Sequence, residues 1–494
     1  MTSSPANDRA YTALIVGTGF GGQTAAMTLR KAGVEDFVML ERRDFMGGTW
    51  VQNSYPGAAV DVQSPLYSIS SEPYAWERMF STQEELEEYT NHVIDKHGLR
   101  EKTRLNAEVT RLTWLEDDQL WEVYTEAAGT WRARFVVNAS GPLSTPVVPP
   151  FSGRATYEGV QFHSNDWDHD FDHRGKRVAV IGSGASAAQI VPAIQPDVAE
   201  LHVFQRTPHW VMPRPDHEFS PFERRLLGVD AVHRAVRTAI YWGLETRIIG
   251  FKYSDTMLRL VAQRKAKANI DDHVSDARLR EKLTPDYRIG CKRIILSNAL
   301  YPALDAENCT LYSGEHGEGI DRFDETGIHT TDGRHVEVDA IVYATGYDAT
   351  DGLIAYPVIG RDGLKLGDYW DEFPRAYLGT TVPGFPNMYI VTGPNTGIGH
   401  TSAIFLIESQ MEYIRQSVER VLAEGATAIE PTLQAEDDYT SHIHSEMRRT
   451  VWYHGGCNSW YKSADGHVVA MFPGFTFNFR RMTKDFKPEH HQLT

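Results

Sequence analysis

Two glycine-rich segments far apart in the chain have the spacing of dinucleotide-binding turns. The first spans residues 17–22 and the second spans residues 182–187, and each follows an apolar run and precedes a helical pattern. The positions concerned are Gly17, Gly19, Phe20 and Gly22 in the first segment, and Gly182, Ser183, Gly184, Ala185, Ser186 and Ala187 in the second. In a strand–turn–helix unit, small residues let the backbone approach a pyrophosphate, which then lies at the helix N-terminus. Two such units in one chain predict two dinucleotide sites.

The residues at the end of the second strand of each unit differ in charge. Glu41 lies 24 residues after the first glycine of its turn, and Arg206 lies 24 residues after the first glycine of the other turn. A carboxylate at this position accepts hydrogen bonds from ribose hydroxyl groups, whereas arginine suits a 2′-phosphate. Arg206, with Thr207 beside it, therefore predicts that the second unit binds a dinucleotide with a 2′-phosphate. Glu41 predicts that the first unit binds a dinucleotide without one.

The surrounding patterns predict an α/β fold with two Rossmann-like domains and a helical insertion. Apolar strands at 135–141 and 340–347 are expected to connect the two domains, while residues 213–284 read as helical and charged without strand signals. We therefore place the first nucleotide domain at 1–149 and 348–494, the second at 150–212 and 285–347, and a helical subdomain at 213–284.

The composition restricts the partners. The 494 residues include 49 Lys and Arg against 66 Asp and Glu, which gives a formal net charge of −17. This excess of acid argues against a general nucleic-acid binder and against attachment to anionic lipid by bulk charge. An apolar stretch at 231–251 is interrupted by charged residues, so it is too polar to span a bilayer. We expect neither nucleic acid nor a membrane as a partner.

The three cysteines restrict the redox chemistry. Cys291, Cys309 and Cys457 are too far apart in sequence for a CxxC pair or a zinc knuckle. They also indicate no disulfide framework, so a reducing cytoplasm is the expected location. The first ten residues contain no apolar segment behind a basic start, so we expect no signal peptide. Acidic residues and histidines cluster at 166–173 without the spacing of metal ligands, and we predict no metal site.

Two further motifs lie at 47–61 and 157–168. The first matches (A/G)GxWxxxx(F/Y)PGxxxD at each fixed position, and the second follows FxGxxxHxxxW(P/D) with Tyr157 where phenylalanine is usual. On both motifs the sequence resembles the type I Baeyer–Villiger monooxygenases, and the similarity runs from about residue 11 to about residue 485. Disulfide reductases share the plan of two nucleotide units but need a paired-cysteine site, which this sequence lacks.

The resemblance implies an FAD-containing flavoprotein that uses NADPH and O2. In this family NADPH reduces FAD, oxygen forms a C4a-peroxyflavin, and the peroxide attacks a ketone to give a Criegee intermediate, which rearranges to an ester or lactone. Arg293 falls where the family has its catalytic arginine, which stabilises the peroxide and the Criegee oxyanion. Asp61 would orient this guanidinium, and Lys292 would reach the 2′-phosphate of NADP beside Arg206.

The resemblance also implies the other site residues. Besides the two turns, the cofactor-binding residues would be Glu41, Arg42, Gly48, Thr49, Trp50, Tyr55, Asp61, Tyr67, Gln189, Arg206, Thr207, Lys292 and Trp460. The fingerprint residues Gly159, His163, Trp167 and Asp168 would couple NADPH docking to the geometry of the active site. Trp460 lies in a C-terminal segment that resembles a loop closing over the coenzyme.

Two alternatives share these cofactor motifs. One is a flavin monooxygenase whose physiological reaction is S- or N-oxidation, and only its product would differ. The other is a non-oxygenating flavoprotein that acts as a redox sensor or binding module. The ending Trp167-Asp168 favours the Baeyer–Villiger branch over the first alternative, and the intact set of Asp61, Lys292 and Arg293 argues against the second. A ketone is therefore the expected substrate, with sulfides as further substrates.

Overall fold

Twenty strands organise the described part of the chain. A computed structural model describes residues 9–349, 353–463 and 465–494, so residues 1–8 of the segment examined for a signal peptide lie outside the described residues. The strands are β1 (Ala10–Val16), β2 (Phe37–Leu40), β3 (Thr103–Arg104), β4 (Val109–Leu115), β5 (Leu120–Thr125), β6 (Thr130–Asn138), β7 (Val160–His163), β8 (Arg177–Ile181), β9 (Glu200–Gln205), β10 (Val211–Met212), β11 (Ile295–Leu296), β12 (Cys309–Ser313), β13 (Ile320–Phe323), β14 (Gly327–Thr330), β15 (His335–Glu337), β16 (Ala340–Tyr343), β17 (Val358–Ile359), β18 (Met388–Ile390), β19 (Ile429–Pro431) and β20 (His491–Leu493).

Fifteen α-helices in the described residues connect or cover these strands. They are α1 (Phe20–Lys31), α2 (Thr49–Gln52), α3 (Gln83–Lys96), α4 (Ala185–Ile194), α5 (Pro221–Leu227), α6 (Asp230–Glu245), α7 (Asp255–Met257), α8 (Arg264–His273), α9 (Ala277–Leu283), α10 (Leu300–Leu304), α11 (Leu366–Tyr369), α12 (Ala403–Glu424), α13 (Leu433–Met447), α14 (Val451–His454) and α15 (Thr476–Lys484). Two π-helical segments, Ile249–Tyr253 and Leu258–Gln263, flank α7.

The first glycine turn belongs to a sheet with the strand order β17-β4-β5-β6-β1-β2-β3, in which β18 also pairs with β6. Strand β1 is parallel to both of its neighbours, and Ala13, Leu14 and Ile15 are completely buried. Burial on both faces explains why the run is continuously apolar. Strand β5, in contrast, is antiparallel to β4 and β6.

The second glycine turn belongs to a separate sheet of five parallel strands in the order β12-β9-β8-β16-β7. The predicted α/β fold with two Rossmann-like cores is therefore confirmed. The apolar run at 135–141 forms the end of β6 in the first sheet, whereas the run at 340–347 forms β16 in the second. Residues 213–284 fold into α5 to α9 and the two π-helical segments, which agrees with the predicted helical pattern.

Helix α12 packs against the first sheet and against α1 and α15. Its apolar stripe includes Ile407, Met411, Ile414 and Val418, all of which are buried. The side chain of Ser402 caps its N-terminus, because its Oγ accepts a hydrogen bond from the backbone N–H of residue 404. In the described parts of the chain, no helix has both the length and the apolar character that crossing a membrane requires.

A disulfide joins Cys291 to Cys457. The two cysteines are 166 residues apart in sequence, yet their Cα atoms lie 6.0 Å apart. The expectation that the cysteines form no disulfide is therefore wrong, because sequence distance does not limit spatial distance once the fold has brought the segments together. The correction also removes the argument from cysteine usage for a reducing compartment. Cys309 remains a free thiol.

We expect the change Cys457→Ser to lower the unfolding temperature of the protein. A cross-link over a long loop restricts the unfolded chain, and such a bond typically contributes about 2–4 kcal/mol. Thermal unfolding, followed by far-UV circular dichroism, measures the effect, and Cys309→Ser is the matched control because Cys309 is a free thiol outside the disulfide. Equal unfolding temperatures for the two variants would show that the disulfide contributes nothing to stability.

Candidate active site

The first glycine turn forms a backbone cradle at the N-terminus of α1. Gly17 has a φ of +94°, and a Cβ atom there would lie 2.6 Å from the carbonyl oxygen of Ala139. A Cβ atom on Gly22 would lie 2.0 Å from the carbonyl oxygen of Gly17. Gly19 is the residue that precedes α1, and a Cβ atom there would contact Gly48. The absence of side chains leaves a surface that fits a pyrophosphate at the helix N-terminus.

We expect the change Gly22→Ala to distort the first glycine turn and to lower the amount of FAD that the protein retains. The added methyl group would overlap the carbonyl oxygen of Gly17, so α1 and β1 must separate, at a cost of about 1–3 kcal/mol. The ratio of flavin absorbance to protein absorbance after gel filtration measures FAD retention. Gly33→Ala is not a fair control because its φ is +81°, whereas Gly367→Ala tests a glycine with open space around it. Full FAD retention by Gly22→Ala would contradict the assigned role of the turn.

Glu41 lies buried at the end of the first nucleotide unit, beside this turn. Its Oε2 accepts hydrogen bonds from the backbone N–H and the hydroxyl of Thr18, at 3.1 and 2.6 Å. Its Oε1 accepts the backbone N–H of Arg43 at 3.1 Å. Arg42 donates from Nη2 to the carbonyl oxygen of Ser144 at 2.9 Å. The carboxylate of Glu41 is therefore held at the turn, and its contact with a ribose stays a prediction.

An aromatic group lies next to the cradle. The Nε1 of Trp50 donates to the hydroxyl oxygen of Tyr67 at 3.2 Å, and the two rings meet edge to face at 5.7 Å. The ring of Phe20 lies 6.0 Å from that of Tyr67. Gly48, with a φ of +63°, precedes α2, which begins at Thr49. Trp50 of this motif and the later Tyr67 thus form an aromatic group beside Phe20, the first residue of α1.

The second glycine turn has a similar cradle at the N-terminus of α4. Gly182 has a φ of +140°, and a Cβ atom there would lie 2.2 Å from the carbonyl oxygen of Ala344. Around Gly184, which precedes α4, a Cβ atom would meet no heavy atom within 4 Å. The Oγ of Ser183 donates to the carbonyl oxygen of Thr207 at 2.7 Å, which fixes the turn against the end of β9. Ala185, Ser186 and Ala187 form the first turn of α4.

Tyr55 connects the two nucleotide units. Its hydroxyl donates to Oε1 of Gln189 on α4 at 2.9 Å, and Nε2 of Gln189 donates to the carbonyl oxygen of Ala59 at 2.8 Å. A Cβ atom on Gly57 would lie 2.6 Å from the carbonyl oxygen of Gln189, so the backbones approach closely here. Burial raises the pKa of Tyr55, which therefore stays protonated and available as a donor.

A cluster of cationic and neutral nitrogen groups lies just beyond β9. Lys292 is buried, and its Nζ donates to Oγ1 of Thr207 at 2.5 Å. Burial and the neighbouring Arg206 lower the pKa of Lys292. Burial and the same two cations lower the pKa of His209 to about 4, so this imidazole is neutral at physiological pH. Two cations beside an unprotonated imidazole form a surface that suits a phosphate monoester.

Arg293 and Asp61 form an ion pair between the two nucleotide units. The Nη2 of Arg293 donates to Oδ1 of Asp61, although the residues are 232 positions apart in sequence. The carboxylate of Asp61 raises the pKa of Arg293, so the guanidinium is always charged. The charges of Asp61 and Arg293 both act on the hydroxyl groups of Tyr67 and Tyr461. Burial raises the pKa of Tyr461 to about 12. The Arg293 side chain is still 46% exposed, which leaves it accessible to a ligand.

The C-terminal segment 455–461 packs against the segment that carries Arg293. Besides the disulfide, the backbone N–H of Arg288 donates to the carbonyl oxygen of Gly455 at 3.1 Å. Tyr461 is buried, whereas the neighbouring Trp460 is 43% exposed, with its ring 4.6 Å from that of Tyr461. The indole of Trp460 is thus available to a ligand, and its contact with NADP stays a prediction.

The structure of the fingerprint at 157–168 accounts for Tyr157, the position where the family usually has phenylalanine. The hydroxyl of Tyr157 donates to the carbonyl oxygen of Val338 at 2.9 Å. A Cβ atom on Gly159 would lie 2.1 Å from that hydroxyl oxygen. The phenol therefore occupies space that only glycine leaves open, and its hydroxyl is satisfied by the backbone, so tyrosine replaces phenylalanine without an unpaired buried polar group.

The polar residues of the fingerprint make local contacts. His163 is buried, its Nδ1 accepts the backbone N–H of Asn165 at 3.0 Å, and burial lowers its pKa. The ring of Trp167 packs edge to face on Phe162 at 5.0 Å. Asp168 accepts, at 3.0 Å, the backbone N–H of the residue two positions later. These contacts give the residues a structural role in shaping the segment.

The fingerprint and the adjoining His169 also contact the first nucleotide unit, through residues whose role the sequence analysis missed. The hydroxyl oxygen of Tyr347 lies 3.0 Å from Oδ1 of Asn53 and 2.9 Å from Oδ1 of Asn165. The Oγ of Ser54 lies 2.7 Å from Nε2 of His169. Asn53 and Ser54 fall within the motif at 47–61, at variable positions, so the motif gave no signal for them. These bridges provide a physical route for the predicted coupling.

Comparisons with known proteins agree with this arrangement. A family model described as pyridine nucleotide-disulphide oxidoreductase matches residues 14–228. A Baeyer–Villiger monooxygenase of Pseudomonas aeruginosa is 42% identical over 494 residues, which covers 99% of this chain and 93% of that protein. A Baeyer–Villiger monooxygenase of Streptomyces coelicolor is 45% identical over 482 residues, which covers 97% of this chain and 92% of that protein.

Solved structures show the same similarity. Cyclohexanone monooxygenase from Rhodococcus sp. Phi1, bound to NADP+, aligns with a TM-score of 0.90 at 29% identity over 99% of this chain and 100% of that one. OTEMO in complex with FAD and NADP aligns with a TM-score of 0.88 at 25% identity, again over 99% and 100% of the two chains. The two alternatives considered above, heteroatom oxidation and a non-oxygenating flavoprotein, are not favoured. The chain belongs to the Baeyer–Villiger monooxygenases, enzymes that depend on FAD and NADPH.

Proposed function

We propose that this enzyme converts a small-molecule ketone into an ester or lactone by inserting one atom of O2 beside the carbonyl carbon. The observation that carries the proposal is the pair of Arg293 and Asp61, which lies between the two nucleotide units. A guanidinium that is permanently charged, held by a carboxylate and still accessible is suited to stabilising negative charge on a reacting oxygen.

The two glycine cradles support a proposed placement of the cofactors. FAD would lie on the first turn, with its ribose at Glu41 and its ring system beside Trp50 and Tyr67. NADP would lie on the second turn, with its 2′-phosphate at Arg206 and Lys292. Bound FAD, after reduction by NADPH, supplies the activated oxygen.

Arg293 would act on the substrate rather than as a proton donor. Its pKa is raised by Asp61, so it cannot give up a proton at physiological pH. The N–H groups that Asp61 leaves free would donate to the ketone oxygen as negative charge develops there. Because both partners of the ion pair are fixed before the reaction, little reorganisation is needed in the transition state. Asp61 is thus a positioning residue for Arg293.

The C-terminal segment 455–461 would cover the coenzyme. Its attachment at Cys457 and Gly455 fixes its base beside Arg293, while the exposed indole of Trp460 would pack on the NADP ribose or nicotinamide. Covering the site would exclude water from the reacting groups.

We propose an FAD-binding domain at 1–149 and 348–494, an NADP-binding domain at 150–212 and 285–347, and a helical subdomain at 213–284. The membership of β1–β6, β17 and β18 in one sheet and of β7–β9, β12 and β16 in the other supports this division.

Product analysis tests the proposal. The FAD-loaded enzyme is incubated with NADPH and cyclic, linear or aryl ketones, and separately with a thioether, and the products are identified by mass spectrometry. An ester or lactone from at least one ketone class would support it. Sulfoxide as the only oxygenated product, or hydrogen peroxide alone across the full ketone panel, would contradict it.

A further inference from the structure

Three potential metal ligands that the candidate active site does not use lie together at the small antiparallel sheet β13-β14-β15. The Nε2 of His329 lies 2.7 Å from Oδ2 of Asp324, and the Nε2 of His335 lies 3.1 Å from the same oxygen. One donor atom from each of the three residues lies within 4.8 Å of the other two. The register of the sheet brings the histidines together, because His329 on β14 is directly opposite His335 on β15.

The carboxylate of Asp324 is oriented before any ion binds. Its Oδ1 accepts the backbone N–H groups of Thr326 and Gly327, both at 2.9 Å. The other oxygen, Oδ2, contacts both imidazole rings, and Nε2 of His335 also lies 3.2 Å from Oδ1. Hydrogen bonds of this kind to a ligating carboxylate fix its direction and commonly accompany metal sites. The rings of His329 and His335 stack at 4.5 Å with 22° between their planes, so they approach the carboxylate from the same side.

We propose that Asp324, His329 and His335 bind one divalent transition-metal ion of the zinc class. Two imidazole nitrogens and one carboxylate oxygen are a donor set that such ions prefer. Tetrahedral coordination with bonds near 2.0–2.2 Å separates the donor atoms by roughly 3.3–3.6 Å. The observed separations of 2.7 and 3.1 Å need to increase by less than about 1 Å, which small side-chain rotations achieve.

Access and a fourth ligand are available at the same place. The three side chains are 22–32% exposed, so an ion can enter from solvent. The Oγ1 of Thr326 lies 3.1 Å from Oδ1 of Asp324 and 3.4 Å from Nε2 of His335, and this hydroxyl or a water molecule would complete the coordination. The bound ion would connect β14 and β15 to the turn after β13. It would stabilise the sheet that leads into β16 of the second nucleotide unit, without a part in the oxidation.

Cobalt and zinc titrations test the proposal on the full-length, FAD-loaded protein, prepared without a histidine tag and freed of metal with EDTA. We expect one equivalent of Co2+ to give a visible d–d absorption band that one equivalent of Zn2+ removes. Zn2+ affinity, measured by calorimetry, should fall at least about 100-fold in His329→Asn and in Asp324→Asn, since each loses a ligand.

The control is His316→Asn, which removes another exposed histidine of the same region, and which should bind Zn2+ as the wild type does. Zn2+ should also raise the unfolding temperature of the wild type and of His316→Asn, but not that of His329→Asn. Retained FAD absorbance and circular dichroism spectra identify correctly folded variants. The absence of stoichiometric Co2+ binding to the wild type, or Zn2+ affinities within threefold of each other in His329→Asn and His316→Asn, would overturn the proposal.

Discussion

Replacing Arg293 by alanine is expected to lower the rate of ester formation by about 10²–10³-fold, the usual effect of removing one donor that stabilises a developing oxyanion. The change removes a group at the junction of the nucleotide units that combines a permanent positive charge with access to a ligand. FAD should stay bound, because Arg293 takes no part in the first glycine turn. Ester yield per unit time, measured by gas chromatography with saturating NADPH, gives the rate.

Further variants separate charge from position. Arg293→Lys keeps the charge but loses the planar fork that matches a carboxylate, so we expect only partial recovery. Asp61→Asn keeps the shape of the partner but leaves the guanidinium less firmly held, and should lower kcat more than it changes the KM for NADPH. Lys265→Ala, at an exposed basic position of α8, is the control and should behave as the wild type. Ester formation by Arg293→Ala within tenfold of the wild-type rate would contradict the role given to Arg293.

Replacing Arg206 by alanine is expected to raise the KM for NADPH by about 10–100-fold, since hydrogen bonds to charged groups contribute about 1.5–3 kcal/mol. The KM for NADH should hardly change, because NADH carries no 2′-phosphate. The physical reason is the cluster at the end of β9, where Arg206 supplies the exposed cation and Lys292 the buried one. Initial rates of coenzyme oxidation with either coenzyme measure the two constants.

Arg206 gives a clearer result than Lys292, because Lys292 is adjacent to Arg293 and its loss could disturb the active site. Arg225→Ala, an exposed arginine on α5, controls for a general loss of positive charge. If Arg206→Ala changes the KM values for NADPH and NADH by the same factor, the second turn does not recognise the 2′-phosphate through this residue.

Local sequence patterns predicted the features that local interactions determine. The two glycine turns and their strands depend on residues within about one supersecondary unit, where periodicity and steric constraints act directly. Glu41 and Arg206, the acidic and basic residues that follow the second strand of each unit, were predicted for the same reason. Asp61 and Arg293, in contrast, are 232 residues apart, and only the resemblance to a family connected them.

The remaining features depend on how segments that are distant in sequence pack together, and the spacing of residues in a local motif does not predict such packing. The disulfide between Cys291 and Cys457 was predicted to be absent because the cysteines are far apart in sequence. His209 shows its chemistry only through burial and its two cationic neighbours. The histidines at 329 and 335 meet because β14 and β15 pair in one particular register, and a shift of one residue would place them on opposite faces.

Isotope labelling of the product tests the central claim most directly. The enzyme is given NADPH, a ketone that it consumes and ¹⁸O2 in unlabelled water, and the ester or lactone is analysed by mass spectrometry. The account predicts one heavy oxygen per product molecule, located in the new C–O–C linkage, while the carbonyl oxygen of the ketone stays light. A product without the label, or one labelled only when the water is heavy, would contradict oxygen insertion at this site.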